Sequence, residues 1–336
     1  MNRLFIIISV LVFSACSNEV IIQAPYNDIP VVYSVLNQND SVHFVRLEKS
    51  FAGEMNAFEM AAVADSIYYP QAEVKIEKWR DGEYREEIVF TETDTITRDS
   101  GIFAYKDNRV YAARAQLDGE AEYRLRVHIP GKEDTIKART HLVDNIRIIK
   151  PPYTQPSLNF SQYTGDVEVE WKSTPHARVY FLQVRFNFFE VFHKDTTPKS
   201  LVWRIANYVS KHAQGGESME ANIGHEQFYR WLPTKLEPAS PGVKRIANKK
   251  AFDFIFTVGG EELYTFMQIY DPDEGINQEK PVYTNISGGI GLFSARFEQE
   301  LRGKALTFPS IDSLSRGIHT KSLGFVDSTD DYYNRQ

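Results

Sequence analysis

A mainly β fold made of two antiparallel sandwiches is what this sequence predicts, and three observations predict it. Apolar and polar residues alternate with a period of two along much of the chain. Two short segments run from glycine to tyrosine, each beside an alternating stretch. A Lys150-Pro151-Pro152 connector separates them. Strict alternation gives a strand one apolar and one polar face, the mark of antiparallel sheets packed on one side. Consecutive prolines favour a stiff, extended link between two bodies.

The first element is a leader. Met1-Asn2-Arg3 carries one positive charge and precedes the apolar run from Leu4 to Phe13, broken only by Ser9. A membrane-spanning helix needs roughly 20 apolar residues, so this shorter run fits the core of a secretory signal. It closes in Phe13-Ser14-Ala15-Cys16, small residues before the only cysteine. This resembles a bacterial lipobox, with Phe13 in place of the usual leucine. On that reading residues 1–15 are a lipoprotein signal peptide and Cys16 carries lipid. Residues 16–23 are then a tether to the outer membrane. The alternative is an ordinary signal peptide followed by a free cysteine. Ser17 does not look like an inner-membrane retention signal. The single Glu19 leaves periplasmic and surface-exposed faces both open.

Residues 24–149 read as the first sandwich and 150–310 as the second. Val74 and Ile76 alternate with Lys75 and Glu77. Tyr123, Leu125, Val127 and Ile129 alternate with Arg124, Arg126 and His128. In the second half Val167, Val169 and Trp171 form one face, as do Tyr180, Leu182, Val184, Phe186 and Phe188. Phe252, Phe254, Phe256 and Val258 form another. Leu117-Asp118-Gly119-Glu120-Ala121-Glu122-Tyr123 and Val258-Gly259-Gly260-Glu261-Glu262-Leu263-Tyr264 both resemble the tyrosine corner of immunoglobulin-like and fibronectin type III sandwiches. There the hydroxyl bonds back to the upstream backbone. The alternative is two Gly-turn-Tyr hairpins alike by coincidence. Trp171, Pro175, Ala177 and Tyr180 are similar to the second and third strands of a fibronectin type III domain. A partly helical insertion is expected at about 193–250. Gly224 to Leu232 has helical spacing and Pro233 as a stop. Leu201, Ile205, Tyr208, Val209 and His212 suggest a second helix. The polar stretch 311–336 reads as a loosely docked or mobile tail.

Composition excludes several functions. The net charge of −7 argues against a non-specific nucleic-acid binder, which needs a basic surface. One cysteine allows no internal disulfide and no multi-cysteine metal site. There is no Gly-x-Ser-x-Gly elbow, phosphate loop or His-Glu-x-x-His pair, so no catalytic residue, cofactor or metal is assigned. The eight histidines are scattered, and His128 falls on the solvent face of its strand. Asp271-Pro272-Asp273-Glu274-Gly275 hints at calcium but reads better as an acidic turn. Gly288-Gly289-Ile290-Gly291 reads as a bulge or a close backbone approach between strands. Asp-Ser/Thr followed by an aliphatic residue or Thr recurs at Ser41, Ser66, Thr95, Thr135, Thr196, Ser313 and Ser328. This resembles the O-glycosylation acceptor of Bacteroidetes. Equally, Asp-Thr suits turn-to-strand junctions.

Pro30-Val31-Val32-Tyr33-Ser34-Val35-Leu36-Asn37, His43 to Phe51, Asn187-Phe188-Phe189-Glu190, Asp271-Pro272 and Gln278 to Ser294 together resemble a Bacteroidetes lipoprotein family. It is known as domain of unknown function four-two-four-nine. The resemblance implies an outer-membrane neighbourhood beside a TonB-dependent β-barrel transporter and implies no catalytic residue. The expected function is therefore a non-enzymatic accessory lipoprotein in capture or uptake of a nutrient ligand. The alternative is a lipid-anchored hydrolase of glycan or peptide. Candidate contacts for ligand or partner are Trp203, Tyr208, Phe228, Tyr229, Trp231, Tyr283 and Phe293. The plainer reading is that the insertion aromatics fill a core and the 283–293 segment closes the sandwich.

Overall fold

The computed structural model describes residues 28–50, 57–96, 108–161, 166–193, 195–270 and 282–334. The expected leader, Cys16 and the acidic stretch Asp271 to Gly275 lie outside the described residues. The structure is mainly β, with one large mixed sheet, one small sheet and few helices.

In the first half, β1 (Pro30–Leu36), β2 (Val42–Lys49) and β5 (Val110–Arg114) are neighbours. So are β4 (Glu83–Thr93), β3 (Glu73–Arg80), β6 (Glu122–His128) and β7 (Ile136–His141). The switch between the two sets is β4: Glu83 to Phe90 run along β3 with a bulge at Arg85, and Thr91 to Thr93 pair with β5. Alternation on β6 behaves as the sequence expects, with Tyr123, Leu125 and Val127 fully buried. They share one core with Val32 and Leu36 of β1 and Val45 and Leu47 of β2.

The second half repeats the arrangement. The strands β8 (Arg147–Lys150), β10 (Val167–Lys172) and β13 (Ser218–Ile223) form the three-stranded sheet. The set β12 (Asp195–Val209), β11 (Ala177–Phe192), β14 (Val243–Gly260) and β15 (Ile290–Leu306) forms the end of the large sheet. The two-residue β9 (Ser157–Leu158) pairs with the end of β15. Trp171 of β10 packs its buried indole 5.4 Å from Phe256, 5.2 Å from Tyr208 and 6.2 Å from Tyr180.

Strand pairing crosses the expected boundary at 149/150, because β15 serves both halves. Ile290 to Ala295 pair in parallel with β1, and Arg296 to Lys304 pair antiparallel with β14. The expected close approach at the glycine run is present here. A Cβ on Gly289 would lie 2.6 Å from the Pro30 carbonyl oxygen, and one on Gly291 only 1.9 Å from that of Val32. Gly291 also has φ +125°, which side chains rarely adopt. Behind the connector, the buried Lys304 ammonium donates to the carbonyls of Pro152 (2.8 Å), Tyr153 (3.1 Å) and Gln155 (2.6 Å). Those acceptors match its three protons without a carboxylate.

Three local expectations need correction. Residues 201–209 are the second half of β12, not a helix. The side chains of Leu201, Trp203 and Ile205 lean inward in strand alternation. A bulge then skips Ile205, since Gln183 pairs with Arg204 and Leu182 with Ala206. The skip shifts the parity and counterfeits helical spacing from Ile205 to Tyr208. The second Gly-to-Tyr segment forms no corner: β14 runs on to Gly260, and Tyr264 lies in the helix Glu261–Ile269, opened by two acids. A second tyrosine-to-backbone bond forms elsewhere, at Tyr180. The stretch after Leu306 is not loosely docked. Helix Phe308–Arg316 buries Ile311 and Leu314, and Leu323, Phe325 and Tyr333 join the core. Arg245 of β14 clasps this stretch, donating to Leu323 O (2.8 Å). The 193–250 segment is mostly strand, with one helix at His225–Trp231, as its spacing and Pro233 predict.

Candidate functional site

The insertion aromatics separate into two groups. Phe228 is fully buried, 5.1 Å from Phe186 and 5.0 Å from Phe252. Tyr229 is buried beside it and donates its hydroxyl to Ser310 O at 3.0 Å. Burial pushes that phenol well above its ordinary range, so it stays neutral. Both side chains are core, and Phe293, with no exposed area, is core as well. Trp203 and Trp231 are different. They are half-buried and stack with centroids 5.4 Å apart at 18°. Trp203 lies on β12, which ends the large sheet and has no neighbour on its outer side among the described residues. Tyr208, on the same strand as Trp203, is half-buried against Trp171 of β10.

Segment 283–294 is a joint. Asn285 bonds both the N–H (2.9 Å) and the carbonyl (2.7 Å) of Phe293, which closes the loop onto β15. Ser287 exchanges backbone bonds with Lys137 of β7 at 2.9 and 2.7 Å. Glu262 accepts from Ser294 Oγ (3.2 Å) and Thr140 Oγ1 (3.3 Å). Burial raises the Glu262 carboxyl above the ordinary range, against the pull of those hydroxyls. Tyr283 sits half-buried nearby, its phenol raised by burial and by the charges of Glu262 and Glu261. The joint thus ties β7, β15 and the 261–269 helix together.

A cleft of about 680 Å³ opens between the 225–231 and 308–316 helices, lined by His225, Glu226, Tyr229, Asp312, Arg316 and His319 among others. Its acids are already engaged. Asp312 accepts from Ser328 N (3.0 Å) and Oγ (2.8 Å), and Glu226 pairs with Arg230 at 2.8 Å. Arg316 pairs with Asp327 at 2.6 Å. Sequence reasoning missed this cleft because half of it comes from the tail. Among the described residues, no three His, Cys, Asp or Glu side chains gather as metal ligands.

Of the Asp-Ser/Thr positions, Ser41, Thr95 and Thr196 are exposed, and Ser66, Thr135, Ser313 and Ser328 are half-buried. The Ser313 and Ser328 hydroxyls donate to Pro309 O and Asp312 Oδ1. The triplets at Asp40, Asp94, Asp134 and Asp195 stand at strand ends, where such residues close turns.

Comparison with curated proteins gives no match. The family comparison gives one, running from ahead of β1 through the joint and into the last strand. Residues 19–302 match the model described as domain of unknown function (DUF4249), and the chain belongs to that family.

Proposed function

We propose that the protein is a non-enzymatic accessory lipoprotein of the outer membrane, anchored through Cys16, that works with a TonB-dependent β-barrel in nutrient capture or uptake. The same reading takes each half as a fibronectin type III-like sandwich. Strand order supports that: three strands (β1-β2-β5, then β8-β10-β13) are followed by four (β4-β3-β6-β7, then β12-β11-β14-β15), in the same chain order both times. The single observation that carries the functional reading is the outer edge of β12. An open strand presents unpaired N–H and C=O groups that a partner's strand can extend. Pro198, Lys199 and Arg204 guard parts of it, but Leu201 to Trp203 lie between them beside the Trp203–Trp231 stack. Bacteroidetes origin and the transporter neighbourhood enter by family resemblance, which is analogy. A lipid anchor adds effective concentration beside the barrel, so a weak interface stays occupied.

The test is gentle solubilisation of the membrane and pull-down of the tagged full chain. A recurrent large β-barrel partner is expected, and Trp203→Ala should weaken its recovery. If the chain migrates alone under conditions that preserve other outer-membrane complexes, the transporter reading fails. Cys16→Ala should release the protein from the detergent phase; unchanged partitioning would remove the anchor. The hydrolase alternative rests on the cleft with Glu226 and Asp312, whose carboxylates are held by Arg230 and Ser328.

A further inference from the structure

The outward faces of β6 and β7 set cations against cations. Arg124 stands directly opposite Arg139, and Arg126 opposite Lys137. Directly opposed like charges destabilise an antiparallel pair. Cross-strand neighbours have Cβ atoms about 5 Å apart. Same-face neighbours on one strand are about 7 Å apart. Four cationic side chains are therefore rooted in one small patch of the sheet. Two acids serve them. Glu77 of β3 takes Arg126 through Nε (3.1 Å) and Nη2 (3.3 Å). Glu122 takes Arg124, whose guanidinium also lies 3.9 Å over the Trp79 ring. Lys137 and Arg139 are exposed and have no ion pair among the described residues. The patch therefore keeps an excess of two positive charges in a chain of net charge −7.

The patch is also a shallow, open depression of about 370 Å³. Arg124, Arg126, Lys137 and Arg139 line it together with Asn285 and Ser287. No carboxylate lines it among the described residues. Ser287 is held at the rim by its backbone bonds to Lys137, and Asn285 by its bonds to Phe293. Two of the lining arginines are thus held by Glu77, Glu122 and Trp79, while Arg139 and Lys137, with no ion pair among the described residues, can turn toward a ligand. Planar guanidinium forks match tetrahedral oxyanions in a bidentate manner, and an ammonium adds a point charge.

We propose that this face binds a doubly charged tetrahedral oxyanion, a phosphate or sulfate group that is either free, carried on a sugar, or part of a lipid headgroup. The site is separate from the β12 edge and stands whether or not that edge binds a transporter. The bound anion offsets the repulsion between the opposed pairs.

Calorimetric titration of the full chain in neutral detergent at low salt tests this. The probes are inorganic phosphate, inorganic sulfate, glucose 6-phosphate and water-soluble dihexanoyl phosphatidic acid, with uncharged glucose as the blank. Saturable binding of at least one anion is expected, weakening as salt rises. Tighter binding of the phosphatidic acid assigns the lipid source, and tighter binding of the sugar phosphate or a free ion assigns the soluble one. The Lys137→Gln/Arg139→Gln double variant should lose affinity at least tenfold. Its melting temperature in anion-free buffer should be equal or higher, because a repulsion has been removed; a merely structural role would lower it. Lys244→Gln, at a distant cation paired with Asp330, should bind as the parent does. No saturable binding to any anion, or equal affinity in the double variant, overturns the proposal.

Discussion

Removing single phenolic oxygens gives an ordered prediction across three tyrosines. Tyr123 Oη accepts the Asp118 N–H at 2.8 Å, and Tyr180 Oη accepts the Thr174 N–H at 3.0 Å. Burial holds the Tyr123 phenol up at about 12 and raises that of Tyr180, so both are neutral at pH 7. In Tyr123→Phe the orphaned N–H belongs to Asp118, whose side chain is 24% exposed in a surface turn. Water reaches it, so the loss is the net worth of one hydrogen bond, about 1 kcal/mol. In Tyr180→Phe the orphaned donor is buried: Thr174 is 6% exposed and Tyr180 not at all. An unsatisfied buried donor costs about 1–3 kcal/mol, so this variant should lose more, about 2 kcal/mol. Tyr264→Phe should change stability by less than about 0.5 kcal/mol, since the ring keeps its place beneath the Arg178 guanidinium at 5.1 Å. Urea unfolding followed by both circular dichroism and tryptophan fluorescence measures all three. A loss at Tyr264 matching the others, or no loss at Tyr180, would refute this account of the two tyrosine-to-backbone bonds.

Two further perturbations address the joint. Gly291→Ala forces a Cβ to within 1.9 Å of Val32 O at φ +125° and should cost about 3 kcal/mol or more, read as a lowered urea midpoint; a shift under about 0.5 kcal/mol would mean that β1 and β15 are not held this close. Glu262 holds its proton more tightly folded than unfolded, so it favours the fold at low pH. That contribution is lost as pH rises from the unfolded value near 4.5 through the raised folded value. Glu262→Gln should flatten this fall in melting temperature with pH, and an unchanged slope would show that the carboxyl is not buried.

Much of the fold was legible because its signals are local. Alternation located β6, β10, β11 and β14, and the Asp118–Tyr123 bond was written in Leu117 to Tyr123. The 225–231 helix was marked by Pro233, and the glycines at 289 and 291 announced a close approach. The misreadings have local causes too. In β12 a one-residue bulge turned strand parity into helical spacing. At Val258 to Tyr264 glycines suited a turn and a helix start equally, and the pairing of Gly260 with Ala177 on β11 decided for the helix. The tail was hidden by its polar composition, although Pro309 with Ile311 and Leu314 carries a short amphipathic signal. The cleft was not legible because half of it comes from the tail, and the cation patch because it depends on the register of β6 against β7 and on Asn285 and Ser287 from far along the chain.

The double service of β15 bears on how the chain reaches its native state. Val31, near the start of β1, finds its partner in Ile290. A contact between such remote residues carries a large loop-closure cost and places the chain among slow folders. Until Ile290 to Ala295 arrive, one side of β1 is an open ladder able to recruit a stray strand. The first half therefore cannot seal itself: its last seam is closed by material from the far end of the polypeptide. A chain that lacks that end keeps an adhesive margin, whereas a full chain loses it at the moment of completion. The seam thus works as a check on integrity, making burial of the earliest strand conditional on delivery of the latest.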